Sequence, residues 1–446
     1  MLYAKKKTMG GGGIKASDFA DHINSLRTKS NISSYPIVVN SAKGATITAT
    51  QGDVTISSVI DASGTTVLWV PTAGTWNVVA SKGSYTSPVT EVEINCDANL
   101  VEPYSILTPE IKLREGGYNG AAITLGNKMF IAGGYEGTYT RDSRYLDVVD
   151  TDLVIYHEVG NFEKRHSSTA QYVGDKVAFV GGTSISGIGL SNVDVYDENL
   201  SRITIITISN NSLQQRDNPN GLGPLGDMVI VAGGKLSVND APTNIVENIS
   251  ADLTYSRITS LIQARTSIGT ATTSELGYFV GGDKVRYNGG ETRSCDQVET
   301  YDNELTKNVQ NSLEISQFNC YGFTINDIAI FISGYTGDNW LYEVFTYQES
   351  TKKIVDPLSF PRVSKNITTI HNKGYILGGN TPGSPDVIDI IETYDENLTH
   401  SLFQLDIPPI NNRMCTSHES GIILLAGGYN GSTIASNKID VIRVNI

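Results

Sequence analysis

The sequence is short of several things that common functions require. It has four cysteines, Cys96, Cys295, Cys320 and Cys415, scattered over 446 residues. At such spacing they suggest neither a disulfide framework nor a thiolate metal site, and free thiols are expected. No window approaches the ~18 consecutive apolar residues of a membrane-spanning helix. Basic charge is scarce: 33 Lys and Arg stand against 47 Asp and Glu, a net charge of −14. That argues against binding nucleic acid or an anionic membrane through a basic face. Near the start, Lys5, Lys6 and Lys7 are followed by four glycines at 10–13, where a secretory signal would need its apolar segment. No signal peptide is expected, and a route outside the cell would be lysis. The six histidines, His22, His157, His166, His371, His400 and His418, include no pair at a ligand spacing, so no metal is expected. No nucleophile elbow or Ser-His-Asp order stands out. The expectation is a protein without catalytic residues and without a cofactor.

What the chain has in quantity is glycine, 44 residues, and much of it recurs in one phrase. A short apolar run ends in two small residues: MFIAGG (129–134), VAFVGG (177–182), MVIVAGG (228–234), GYFVGG (277–282), IAIFISG (328–334), GYILGG (374–379) and IILLAGG (422–428). A second phrase follows each, clearest in VDVYDENL (193–200), VETYDNEL (298–305) and IETYDENL (391–398). Weaker copies are LDVVDTDL (146–153), VENISADL (246–253), VFTYQEST (344–351) and IDVIRVNI (439–446). The second small residue falls at 134, 182, 234, 282, 334, 379 and 428, steps of 48, 52, 48, 52, 45 and 49. A period near fifty marks an array of repeated units.

The runs are too short for helices and rich in Val, Ile and Phe, so they read as buried strands. The glycines suit a crowded turn in which a side chain would clash and positive φ is needed. The second phrase alternates apolar and polar residues and reads as a half-buried strand. Pairs such as Asp197-Glu198 and Asp395-Glu396 then form the hairpin turn, and are better read so than as glycosidase acids. An arginine precedes the next repeat in most copies: Arg114, Arg165, Arg216, Arg265, Arg362 and Arg413, with Gln317 in the fifth. These arginines are expected to line inner turns. Gly116-Gly117-Tyr118-Asn119-Gly120 follows no apolar run and is set aside as a decoy. Four strands per repeat make one blade of a β-propeller.

This combination of arginine, apolar run, Gly-Gly and Tyr-Asp resembles the kelch-repeat family of β-propellers over about 340 residues. The resemblance implies an all-β, seven-bladed propeller over 102–446. The family's usual Trp near the fourth strand is absent, with Leu or Ile in its place. Some kelch-like propellers resemble galactose oxidase, a copper enzyme. That site needs two His, two Tyr and a cross-linked Cys, which the scattered histidines do not supply. The sequence 104–115 matches the last strand and arginine turn of other repeats, as in 400–413. It is therefore expected to complete the final blade and remove an open edge.

Before the propeller, residues 1–33 read as an N-terminal docking arm. Ser17 can cap a short helix with Phe19, Ile23 and Leu26 along one side. Residues 34–101 read as a small β-sandwich of transthyretin-like or immunoglobulin-like kind. Strands are expected near 45–51, 54–60, 65–70, 74–82 and 90–94, anchored by Trp69 and Trp76. The phrase GATITATQGD together with DASGTTVLWVPTAGTWNVVASKGSYTS resembles domains of tail-associated proteins in phages and prophages of Gram-positive bacteria.

Loops after the glycine pairs should emerge on one face, and aromatic rings beside polar groups suit sugar or protein recognition. The candidate ligand-binding residues are Tyr139, Arg141, Arg286, Tyr287, Arg293, Asp338 and Trp340. Tyr135, Tyr335 and Tyr429, directly after the glycines, read equally well as packing residues. The leading expectation is a non-enzymatic virion protein of a phage tail, baseplate or collar. The arm would dock on other virion proteins, and the propeller would bind a host-surface glycan or a virion protein, with a homo-oligomer in an assembly. No nucleic acid or membrane insertion is expected. The alternatives are a cytoplasmic kelch scaffold and a copper carbohydrate oxidase.

Overall fold

The structure is a computed structural model. It describes residues 35–444 except 41–43, 61–64, 71–73, 83–84, 88, 95–103, 108–109, 137–140, 143–144, 158–161, 185, 187–188, 191, 208–220, 236–240, 285–293, 333, 338, 360, 381–389, 405–406, 408–411 and 430–434. Every regular element among the described residues is a β-strand. The arm with Phe19, Ile23 and Leu26 lies outside them.

Between residues 35 and 94 two sheets share one core. Tyr35–Asn40 pairs with Thr65–Val70, and a five-stranded sheet is built on Thr46–Gln51 and Gly74–Lys82. Alternation puts Ile47, Ala49, Trp76, Val78 and Ala80 of the larger sheet against Val39, Leu68 and Val70 of the smaller. Trp76 is fully buried. The five expected strands are present, and Tyr35–Asn40 and Tyr85–Thr86 are additional.

From residue 104 onward the described strands form seven four-stranded antiparallel sheets, numbered here 1 to 7 in chain order. The first strands are Ala121–Leu125, Thr169–Val173, Gly221–Leu225, Gly269–Thr272, Tyr321–Ile325, Ile367–Ile370 and Met414–His418. Each touches the first strand of the next sheet, and the seventh touches the first, so they close a cycle. This is a β-propeller. Each apolar run supplies the second strand of one sheet, such as Lys128–Ala132 in sheet 1 and Ile422–Ala426 in sheet 7. These strands are buried on both faces, which is why they carry continuous apolar runs rather than an alternation. Each second phrase supplies a third strand, such as Val298–Asp302 in sheet 4 and Ile390–Tyr394 in sheet 6.

The glycine pair locks neighbouring sheets together. Gly133 and Gly134 have φ of 68° and 106°. A Cβ on Gly133 would sit 2.5 Å from the Arg165 carbonyl of the next sheet. The Gly134 N–H donates to that same carbonyl at 2.8 Å. A side chain would break a contact that joins two sheets, so the requirement is positional rather than one of flexibility.

Sheet 7 takes its fourth strand from the other end of the propeller sequence: Tyr104–Leu107 pairs with Ile439–Val444. At the far ends of the third strands, aspartates form the hairpin turns. Asp302 Oδ1 accepts from the N–H groups of Glu304 and Thr306 at 3.1 and 2.7 Å, and Asp395 does the same for Asn397 and Thr399. The bonds offset left-handed leucines, among them Leu305 and Leu398 with φ of 63° and 61°. Such a conformation costs roughly 1–2 kcal/mol in an L-residue. The paired acids are therefore turn formers.

Candidate functional site

The first strands enter the axis through a recurring turn. Asn119, Ser167, Ser267, Asn319 and Asn412 all have positive φ there, between 52° and 59°. Their backbones join across sheets: Asn119 N–H donates to the Asn412 carbonyl at 3.1 Å, Ser167 to Asn119 at 2.7 Å, and Asn319 to Ser267 at 3.0 Å. Asn and Ser tolerate this conformation better than larger residues do. The ring of turns borders an axial cavity of about 690 Å³. Its lining is mostly amide, hydroxyl and small side chains: Asn119, Asn319, Asn380, Asn412, Gln171, Thr270, Thr272 and Thr324, with Trp340, Lys365 and Arg413. No Asp or Glu is among the described lining residues.

Of the candidate binding residues, the structure places Trp340 at this cavity. Thr336–Asn339 closes a tight turn, with Thr336 N–H donating to the Asn339 carbonyl at 2.9 Å and Gly337 at φ 105°. Trp340 then pairs with Tyr335 through the backbone, and their rings lie 5.6 Å apart. Trp340 is half-buried, because the turn folds it back beside Tyr335. Arg141 lies in a two-stranded ribbon, Arg141–Asp142 against Tyr135–Glu136. Tyr139, Arg286, Tyr287, Arg293 and Asp338 lie outside the described residues. Tyr135 and Tyr429 pack on either side of buried Tyr118, at 5.2 and 5.3 Å, and Tyr135 also stacks on His166 at 3.7 Å. Tyr135 and Tyr429 therefore take part in packing between sheets, while Tyr335 packs on Phe318 and Trp340 within sheet 5.

The repeated arginines do more than line turns, and the sequence reading missed their partners. The second or third residue of the third strand is a buried acid in every sheet but the fifth, and in sheets 2, 4, 6 and 7 an arginine reaches it. In sheet 4, Glu299 takes Arg265 at 2.8 Å and Lys307 at 3.0 Å. In sheet 6, Glu392 takes Arg362 at 2.7 Å, His400 at 2.8 Å and the Ser359 N–H at 3.2 Å. In sheet 2, Asp194 takes Arg165 and Arg202, and in sheet 7, Asp440 takes Arg413 and Lys438. The second partner comes from the fourth strand or, in sheet 7, from just before the third. Arg216 lies outside the described residues.

Two positions need correction. Gly117, not Arg114, holds the arginine place in sheet 1, because the Gly428 N–H donates to its carbonyl as Gly134 does to Arg165. Arg114, three residues earlier, gives its backbone N–H to Asp147 at 2.7 Å, and its guanidinium lies 5.7 Å from the Tyr145 ring. The run 116–120 is thus the axial turn of sheet 1 and belongs to the repeat. Arg413 is displaced by register: it follows the positive-φ Asn412, yet reaches Asp440 at 2.5 Å. The signal for the pairing was present in the fifth repeat, where Gln317 replaces the arginine and Phe345 the acid together.

Burial pushes the Cys320 thiol up to about 12, so this cavity-lining cysteine is not a nucleophile near neutral pH. Among the described residues no three His, Cys, Asp or Glu side chains converge as a metal would need. The arrangement can bind through hydrogen bonds and aromatic rings, Tyr321, Phe323 and Trp340 among them.

The fold and site define a β-propeller with a polar axial cavity. No protein-family model matches the chain, and no curated protein matches it. A solved structure titled "Structure of YjhT" aligns with 66% of this chain and 99% of its own, at 13% identity and a TM-score of 0.48. Nothing about ligand or activity passes from it to this chain.

Proposed function

We propose that this chain is a non-enzymatic virion protein of a phage or prophage, whose seven-bladed kelch-type propeller binds a glycan of the host surface or a neighbouring virion protein. The observation that carries the binding part is the axial cavity, where hydroxyl and amide side chains converge beside Trp340. A flat ring stacks on a sugar face while amides and hydroxyls fix its orientation. The virion part is supported by the likeness of residues 34–101 to domains of tail-associated proteins. Residues 1–33 are the proposed attachment to other virion proteins.

Two measurements test this. Negative-stain imaging of particles labelled with an antibody to the propeller should mark the tail, baseplate or collar; unlabelled particles would remove the virion reading. Binding of the full chain to host cell-wall glycans should weaken roughly 10- to 100-fold in Trp340→Ala, the scale of a lost anchor. Equal binding by both forms would put the glycan elsewhere, and no binding by either would favour a protein partner.

A further inference from the structure

The sandwich between residues 35 and 94 leaves one strand edge open. Val54–Val59 pairs with Thr46–Gln51 on one side, along its whole length and without a bulge. The turn Gly52-Asp53 joins the two strands, so Gln51 and Val54 are a hydrogen-bonded pair. At the other end the Ile60 N–H donates to the Ala45 carbonyl at 2.8 Å. Alternation between these ends turns the backbones of Val54, Ile56 and Ser58 toward Thr46–Gln51, and those of Thr55, Ser57 and Val59 away from it. None of the outward-turned N–H and C=O groups has a partner among the described residues. All three residues are exposed, Val59 to 58%.

Natural sheets guard an open edge with charge, proline, a bulge or a very short strand. Other edges here follow that rule. Thr90–Ile94, across the same sheet, carries Glu91 and Glu93. The outer strands of propeller sheets 2 to 6 carry Arg202, Arg257, Lys307, Lys352 and His400. Val54–Val59, with the sequence VTISSV, has none of these devices. The neighbouring Thr46, Thr48 and Thr50 are uncharged too, in a chain of net charge −14.

We infer that Val54–Val59 is the interface through which a second copy of this chain adds to the sheet. The strand is its own complement. In an antiparallel pair with a two-fold axis at Ser57, Ser57 faces the partner's Ser57 and Thr55 faces the partner's Val59. Every outward N–H and C=O of the three residues is then satisfied. The β-branched side chains of Thr55 and Val59 also meet across the strands. Two bodies at −14 repel each other, so copies can approach closely only along a strip without charge, and this strand is one. Such an interface is isologous and closes at two copies.

Sedimentation velocity on the full chain tests this from about 1 to 100 µM, the span of weak to moderate affinities. A monomer–dimer equilibrium is expected. It should tighten several-fold as salt rises from about 0.05 to 0.5 M, because screening removes the repulsion between the acidic bodies. Ser57→Lys sets two ammonium groups against each other on the axis and should weaken the dimer about tenfold or more. Ser57→Cys should form a disulfide between copies under mild oxidation, since hydrogen-bonded partners lie ~5.5 Å apart at Cα, within disulfide range. The parent, with the same four native cysteines, is the control and should not cross-link. A chain that stays monomeric throughout overturns the inference. A dimer unaffected by Ser57→Lys overturns it too, because it would use another surface, and so does a lack of cross-linking in Ser57→Cys. If neither variant folds, hydrogen exchange on the parent decides. Residues 54–59 should exchange at least about tenfold more slowly at the highest concentration than at the lowest, and equal rates overturn the inference. Protection seen only in assembled particles would also overturn it, giving the edge to another virion protein.

Discussion

Sheets 5 and 6 solve the same structural problem in opposite ways. In sheet 6 the buried position at the start of the third strand is Glu392, held between Arg362 and His400. In sheet 5 the same position is Phe345, and Gln317 stands where the arginine would be. Phe345 stacks on Phe331 at 5.5 Å and meets Tyr347 edge-on, with Tyr278 of sheet 4 closing the cluster. The cation of the fourth strand survives: Lys352 sits 5.1 Å from the Phe345 ring. Its partner has changed from a carboxylate to a ring face. The ion pair is therefore not what makes a blade. It is one of two internally consistent fillings, and only the mixed states should be costly.

The mixed states give the largest effects. Phe345→Glu removes the stack and buries a carboxylate opposite Gln317. A loss of about 5 kcal/mol or outright failure to fold is expected in urea unfolding. Adding Gln317→Arg should recover part of it; no recovery would mean that the two positions are not a pair in this sheet. In sheet 6, Glu392→Ala leaves Arg362 buried without its partner and should cost about 3–5 kcal/mol. Converting both residues to the sheet 5 filling, Arg362→Gln with Glu392→Phe, should cost less than the single change. A double mutant as unstable as the sum of the singles would break the comparison.

The pH dependence of sheet 6 is a smaller and more specific effect. Burial alone would push the Glu392 carboxyl up, but the charge of Arg362, the bonded His400 and the Ser359 N–H together hold it below the usual 4.5. A depressed folded-state value means that the stabilisation is complete above the unfolded value and is lost as pH falls through the folded one. Glu392→Gln should therefore be less stable than the parent at pH 7, with the gap narrowing as pH drops below about 4.5. A gap that stays constant from pH 6 to 3 would show that the carboxylate's charge contributes nothing.

Much of the fold was legible because the repeats put the same constraint on the same place. Two glycines ending an apolar run, as at Gly133-Gly134, are needed wherever a neighbouring carbonyl presses on the turn, and that need shows directly in composition. The Asp turns were legible for the same reason. The cavity was not, because its lining comes from single residues of different repeats, such as Trp340, Lys365 and Asn119, that meet only across the axis. The arginine–acid pairs stood between these cases. Both partners were visible in the repeat, but they lie 27 to 34 residues apart, as in Arg413–Asp440 and Arg265–Glu299, and nothing local joins them. Only the joint change to Gln317 and Phe345 exposed the link.

The smallest effect at neutral pH, and the sharpest in its pH dependence, belongs to His166. It occupies the place that Phe318 holds in sheet 5, each paired by a backbone bridge to the residue after its glycine pair: His166 with Thr183, Phe318 with Tyr335. The imidazole is 2% exposed, stacks on Tyr135 at 3.7 Å and lies 2.9 Å from the Ser167 hydroxyl. Burial pushes its pKa from 6.5 down to about 4. The folded protein thus holds the ring neutral where the unfolded chain would protonate it. Stability should be full above pH 6.5, fall as pH drops toward 4, and level off below that. His166→Phe copies the sheet 5 filling and cannot take a proton. It should cost under about 1 kcal/mol at pH 7 if the ring volume is accepted, and its melting temperature should fall less than the parent's between pH 6.5 and 4. If instead the parent and variant curves run parallel through that range, the imidazole carries its proton in the folded state. The contact with Tyr135 would then be a cation over a ring, like Lys352 over Phe345.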